Sequence, residues 1–125
     1  MTTLILEETE EQNIIHDILM DFGVSPHLSG YAYISYAITL LARNTNLDFS
    51  VTKDIYPQVA KHFRTTPSRV ERCIRHAIEV AYAATPISVH HKYFGNSVGN
   101  QAGRPTNTKV LSGLTLFLLR TRSRQ

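Results

Sequence analysis

Within the stretch TTPSRVERCIRHAIEVAY, Thr65 to Tyr82, arginine, glutamate and arginine occupy positions 69, 71 and 72, with Arg75 and His76 about one helical turn further on. An arginine fork can donate two parallel hydrogen bonds to guanine O6 and N7, and a carboxylate can accept one from cytosine N4. Each such pair discriminates between bases by about 1–3 kcal/mol. Glu71 is the informative member of the set. An acidic side chain facing phosphates costs affinity, so a surface built for electrostatic attraction alone would omit it. The competing reading is an amphipathic surface helix whose charges pair at i,i+3 and i,i+4, Glu71 with Arg75 among them, and touch nothing else.

Those side chains need a helix to present them together, and the local sequence supplies one. Thr66 reads as the N-cap, its oxygen accepting from an unsatisfied backbone N–H, and Pro67 as the first helical residue, where no N–H is missed. Val70, Cys73, Ile74, Ala77, Ile78 and Ala81 recur at spacings of three and four, so they share one buried stripe of a helix over 67–83. Ser68, Arg69, Glu71, Arg72, Arg75, His76 and Glu79 then point outward. A preceding short helix, YPQVAKHF, and the turn RTT complete a helix-turn-helix pattern, whose second helix enters the major groove by its N-terminal end.

The remaining elements also follow helical periodicity. A first helix is expected from about Glu10 to Phe22, with Ile14, Ile15, Ile18, Leu19 and Phe22 inward, the glutamates of EETEE capping its N-terminal turn, and Gly23 ending it. A second is expected from about Pro26 to Arg43, with Tyr31, Ile34, Ile38 and Leu41 buried and Gly30 a local weakness; the connector NTNLD follows. A third runs to Phe63, with Pro57 in its first turn or at a kink. A brief helix near Ile87 to Phe94, a loop GNSVGNQAG in which Gly99 and Gly103 read as turn residues, and a last helix from about Thr108 to Arg120 complete the chain. The prediction is an all-α, single compact domain of about six helices containing a helix-turn-helix. Its parts are an acidic N-terminal segment (1–12), the effector domain (13–120) and a basic C-terminal tail (121–125), whose arginines could contact phosphate but are read in preference as solvated.

A chain of 125 residues, 42% hydrophobic and 18% charged, has the size and composition of one ordinary globular domain. Its net charge of +3 conceals an asymmetry. Residues 1–42 carry Glu7, Glu8, Glu10, Glu11, Asp17 and Asp21 with no Lys or Arg, a formal −6, whereas residues 43–125 carry all 13 Lys and Arg against Asp48, Asp54, Glu71 and Glu79, a formal +9. The asymmetry suggests a polyanion partner for the second part, against the alternative that its solvated faces merely happen to be basic. No apolar run reaches the roughly 20 residues of a membrane span, and no signal segment opens the chain, so a cytoplasmic protein without membrane association is expected. The lone Cys73 excludes an internal disulfide.

Other chemistries fit less well. Cys73 and His76 stand three apart as a candidate nucleophile and base, but Cys73 falls on the apolar stripe. His90 and His91 are helix neighbours that diverge, without metal-ligand spacing, and read as ordinary polar histidines. GNSVGNQAGRPT lacks the Gly-Lys-Ser/Thr ending of a P-loop. No catalytic residue, metal or cofactor is expected, and the chain is not read as an enzyme.

The stretch IYPQVAKHFRTTPSRVERCIRHAIEVAY resembles the C-terminal DNA-binding effector domain of the stage zero sporulation protein A family, response regulators that start endospore formation in bacteria. SRVER and IRHAIEVA are its most specific pieces, and the likeness extends through GVSPHLSGYAYISYAITLL upstream and FGNSV…RPTN downstream, over about residues 13 to 120. The resemblance implies sequence-specific binding of double-stranded DNA for transcription regulation in sporulation-type gene control. Arg69, Glu71 and Arg72 would contact bases of a TGTCGAA-like element. Thr66, Ser68, Arg75, His76, Arg104, Thr106 and Asn107 would contact the DNA backbone, the last three where a Gly-rich loop meets a helix N-terminus that can hold phosphate. It also implies a homodimer on tandem sites through the last helix, and RNA polymerase sigma factor as a further partner. Cys73 stands where the family tends to have a small residue such as alanine. Only MTTLILEETEEQ precedes the similarity, so a stand-alone regulator or an excised domain, without control by phosphorylation in cis, is expected. The alternative function is a helical protein-interaction module that keeps the fold and regulates through a protein partner.

Overall fold

The computed structural model describes residues 2–44, 50–95 and 104–123, the side chains of residues 2–8 excepted. Residues 45–48 of the NTNLD connector, Gly99, Gly103 and the last two residues of the tail lie outside that description. Among the described residues the chain forms six α-helices and no strand: α1 (Thr2–Phe22), α2 (Ser29–Arg43), α3 (Tyr56–Phe63), α4 (Pro67–Ala84), α5 (Ile87–Phe94) and α6 (Asn107–Ser123). A π-helical turn, Val51–Ile55, leads directly into α3, with Ser50 Oγ accepting from Lys53 N at 3.2 Å and Asp54 Oδ2 accepting from Ser50 N at 2.7 Å. Pro57 sits in the first turn of α3, where its missing N–H breaks no helical bond. No helix among the described residues is long and apolar enough to cross a membrane.

α2 is the central helix, packed on both α4 and α6. One core gathers Ile15, Leu19 and Phe22 of α1, Ile34 and Ile38 of α2, Val59 of α3, Ile74 and Ile78 of α4, and Leu111, Leu114 and Leu118 of α6, all fully buried. Each such apolar side chain removed from water contributes about 1.5–3 kcal/mol. Because α2 serves two neighbours, its buried surface is turned from the expected stripe. Tyr33, Ala37 and Thr39 are buried, while Tyr31 and Leu41 are only half-buried.

Three local expectations are corrected. α1 starts at Thr2, not near Glu10, so Glu10 and Glu11 lie along the helix and its first turn holds no acidic residue. Glu11 instead turns inward at 7% exposure, where Arg122 Nη1 donates to Oε2 at 2.6 Å and Arg43 Nη2 lies 3.8 Å from Oε1. The basic end of the chain is therefore not merely solvated. α6 continues to Ser123 and its Arg122 ties back to α1. Gly23 does end α1 as expected, at φ 95°, with its N–H donating to Leu19 O at 3.0 Å.

His90 is the third correction. It is buried at 5% exposure and stacked on Tyr82, with ring centroids 3.8 Å apart and planes 8° from parallel. Thr85 Oγ1 donates its proton to Ala81 O at 2.9 Å, so the 3.0 Å contact between Thr85 Oγ1 and His90 Nε2 requires the imidazole to donate. Nδ1 is then the neutral acceptor, buried and without a hydrogen bond. Burial holds the His90 pKa below its ordinary value, the Tyr82 backbone offsetting part of the effect.

Gly30 proves to be a requirement and not a weakness. A Cβ there would stand 2.4 Å from the Cys73 carbonyl oxygen and 2.7 Å from Ala77 Cβ, both on α4. Gly30→Ala is expected to destabilise the fold by about 1–3 kcal/mol, the usual cost of overpacking, as a lowered urea midpoint. His90 makes the second testable point. Its pKa is depressed in the folded state, so the unfolded chain takes up the proton first and stability falls as pH drops through about 6.5. Thermal melting at pH 7.5 and 5.5 should show a larger acid loss for the wild type than for His90→Gln.

Candidate nucleic-acid interface

The interface is organised by α4. Thr66 has extended backbone (φ −109°, ψ 152°), its Oγ1 accepts from Arg69 N at 3.1 Å and its carbonyl from Val70 N at 3.0 Å, with Pro67 next in line. The cap therefore orients the main chain of Arg69 itself. Val70, Ile74, Ala77, Ile78 and Ala81 are fully buried. Their seat against α2, α3 and α6 fixes the rotation of α4 and hence which residues face out. The turn before it passes through Arg64 in the left-handed region (φ 57°, ψ 49°), and Thr65 N donates to Ala60 O at 2.9 Å, closing α3.

Ser68, Arg69, Arg72, Arg75 and His76 are all exposed, and Glu71 is half-exposed. Arg69 and Arg72 form no ion pair or side-chain hydrogen bond with a described residue. Glu71 does: Arg75 Nε donates to its Oε1 at 3.0 Å and approaches Oε2 at 3.4 Å. The i,i+4 pairing set against base reading is thus present in the free protein, as a solvent-exposed contact of the weak kind. Cys73 is half-buried, at the edge of the core stripe and not within it. It lines a groove with Leu28, Ser29, Gly30, Arg69, Arg72 and His76, because α2 begins directly over this turn of α4.

Arg104, Thr106 and Asn107 are brought against the same helix. Arg104 Nη2 donates to Glu79 Oε1 of α4 at 3.2 Å, and Nη1 to Pro105 O at 3.0 Å. Thr106 caps α6, its Oγ1 accepting from Lys109 N at 3.2 Å. Asn107 Nδ2 donates to Tyr56 OH at 3.1 Å and to the main-chain oxygen of Glu71 at 3.3 Å. Burial raises the Tyr56 pKa, the Asn107 contact offsetting part of this, so the phenol is neutral near pH 7 and can accept. As folded, the Asn107 side chain has both amide protons engaged and its Oδ1 buried, while its main-chain N–H, at the first residue of α6, takes no part in these bonds. It acts as a clamp joining the starts of α3 and α6 to α4.

The residues that sequence reasoning missed are the supports. Tyr56 carries no local mark of its role, since its partner Asn107 lies 51 positions away. Glu79 was visible only as an outward charge. Gly30 carried a signal, a glycine inside a helical pattern, that marks close approach as readily as weakness.

Replacing Asn107 with Ala would leave the buried Tyr56 hydroxyl without its donor and remove the second bond to the Glu71 carbonyl, which the helix itself already engages. A loss of about 1–3 kcal/mol is expected for leaving the Tyr56 hydroxyl unpaired, against about 0–1 kcal/mol for Arg104→Ala, whose partner Glu79 is exposed. Urea unfolding of the two variants side by side checks the ranking.

The family model described as Sporulation initiation factor Spo0A C terminal matches residues 15–117. The chain belongs to that family, a sporulation-related DNA-binding effector domain acting in transcription regulation.

Proposed function

We propose that this member of the Spo0A C-terminal family regulates transcription by placing the first half of α4 in the major groove of a TGTCGAA-like duplex element. One observation carries the reading: Arg69 and Arg72 stand exposed, unpaired among the described residues, beside Glu71 at the start of a helix whose origin is fixed by the Thr66 cap. Arg69 and Arg72 are assigned to guanine O6 and N7, and Glu71 to cytosine N4. Glu71 can accept from a base through one oxygen while Arg75 holds the other, or release Arg75 to a phosphate, since an exposed pair is readily exchanged.

Thr66, Ser68, Arg75 and His76 then face the backbone beside the groove, and Arg104 with Thr106 forms a second backbone contact after Arg104 leaves Glu79. Asn107 contributes by holding Tyr56 and the Glu71 main chain. Tandem elements would bring two copies together through α6, where Leu116 is 48% exposed. The chain works where the duplex is, in the cytoplasm.

Titrating a labelled duplex with the element and a scrambled duplex of equal length, over a salt series, tests the proposal. Arg69→Ala and Arg72→Ala should each reduce discrimination between the two by about 1–3 kcal/mol. Arg104→Ala should weaken both alike and flatten the salt dependence by about 0.9 in log–log slope. Equal affinity of the wild type for the two duplexes would overturn sequence reading, and a protein-interaction role would then fit the exposed α6 residue better.

A further inference from the structure

Arg64 is the one non-glycine residue with positive φ among the described residues, at φ 57° and ψ 49°. For an L-residue this conformation brings Cβ against the following carbonyl, and glycine adopts it without that cost. The main-chain duties of the position do not need a side chain. Arg64 N–H donates to Lys61 O at 3.3 Å and closes α3, which a glycine would do as well. Its side chain is exposed and makes no ion pair or hydrogen bond with a described residue. An arginine is thus held where the backbone disfavours it and the fold gains nothing visible from its head group. A residue kept in a sparsely populated region is a pointer to function.

Complementing the dipole at the C-terminal end of α3 is the rival explanation, but Lys61 and His62 already occupy that last turn. The location favours a ligand instead. Arg64 lies two residues before Thr66, whose hydroxyl sets the start of α4, so the corner and the reading edge move as one body. In a helix-turn-helix the first helix crosses the DNA backbone while the second enters the groove. The corner between them therefore faces a phosphate strand.

We propose that Arg64 is a DNA-backbone anchor: its left-handed main chain aims a guanidinium, without a partner among the described residues, at a phosphodiester flanking the bases read by α4. This rests on the duplex-binding reading above. The contact carries no sequence information and fixes how deeply and in which register α4 enters the groove.

The test uses the whole chain, with Arg64→Gly and Arg64→Lys compared with the wild type on the element duplex and the scrambled duplex, plus thermal melting. Arg64→Gly should melt no lower than the wild type. It should bind both duplexes about fivefold more weakly at 0.15 M salt, with a log–log salt slope smaller by about 0.9, as expected when one fewer phosphate is neutralised. Arg64→Lys should recover most of that slope. An Arg64→Gly protein with unchanged affinity and slope overturns the anchor while leaving duplex binding intact. A lower melting temperature with unchanged binding assigns Arg64 to the α3 dipole and likewise overturns it. A wild type that binds no duplex removes both this proposal and the function it rests on.

Discussion

The outward face of α4 can be only as well defined as its inward seat, and that seat depends on a helix contact too close for any side chain. At Gly30 the start of α2 lies so near the Cys73 carbonyl and Ala77 that a single methyl group would overlap both. Such an approach leaves little freedom to slide or rotate, because ridges of small residues interlock without a flexible side chain between them. The stripe from Val70 to Ala81 completes the seat from α4's own side. Asn107 then fixes the first turns by bonding the Glu71 carbonyl and Tyr56 together. The rotation that turns Arg69, Glu71 and Arg72 outward follows from those three features, none of which is itself charged.

Electrostatics acts on top of this frame. The acidic first third and the basic remainder do not simply face opposite partners, since several of their charges are matched within the fold. Glu11 engages Arg122 and Arg43. Asp21 accepts from Lys92 at 2.8 Å and from Tyr93, and the Lys92 contact is the main reason its carboxyl is held below the usual range. Glu79 engages Arg104 and Glu71 engages Arg75. Among the described residues Arg64, Arg69 and Arg72, all at or beside the start of α4, are left out of these pairings, as are Lys53, Lys61 and Arg120. A polyanion would meet three uncompensated arginines where the Thr66 cap and the Gly30 contact set the start of α4, which suits register as well as attraction.

What the chain revealed before folding was mostly what neighbours along one helix can encode. The cap at Thr66, the stop at Gly23, Pro57 in a first turn and the three-and-four spacing of α4 all appear as read. Errors arose wherever a distant partner decides the outcome. α2 has its stripe turned because two helices share it. Cys73 lies at an edge because Gly30 brings α2 over it. Glu11 is buried because an arginine 111 positions away meets it, and the Asn107 amide is engaged by Tyr56, 51 positions away. His90 resembled a surface histidine until Tyr82 and Thr85 were placed around it. The candidate readers were legible as types and spacing; the clamps and close contacts that aim them were not.

The central claim is that this fold reads bases and does more than attract a polyanion. Selecting bound duplexes from a random pool at near-physiological salt tests it most directly. The account predicts enrichment of a short element of the TGTCGAA type, with guanine and cytosine positions the most constrained. Recovery of a pool with no enriched element would contradict it.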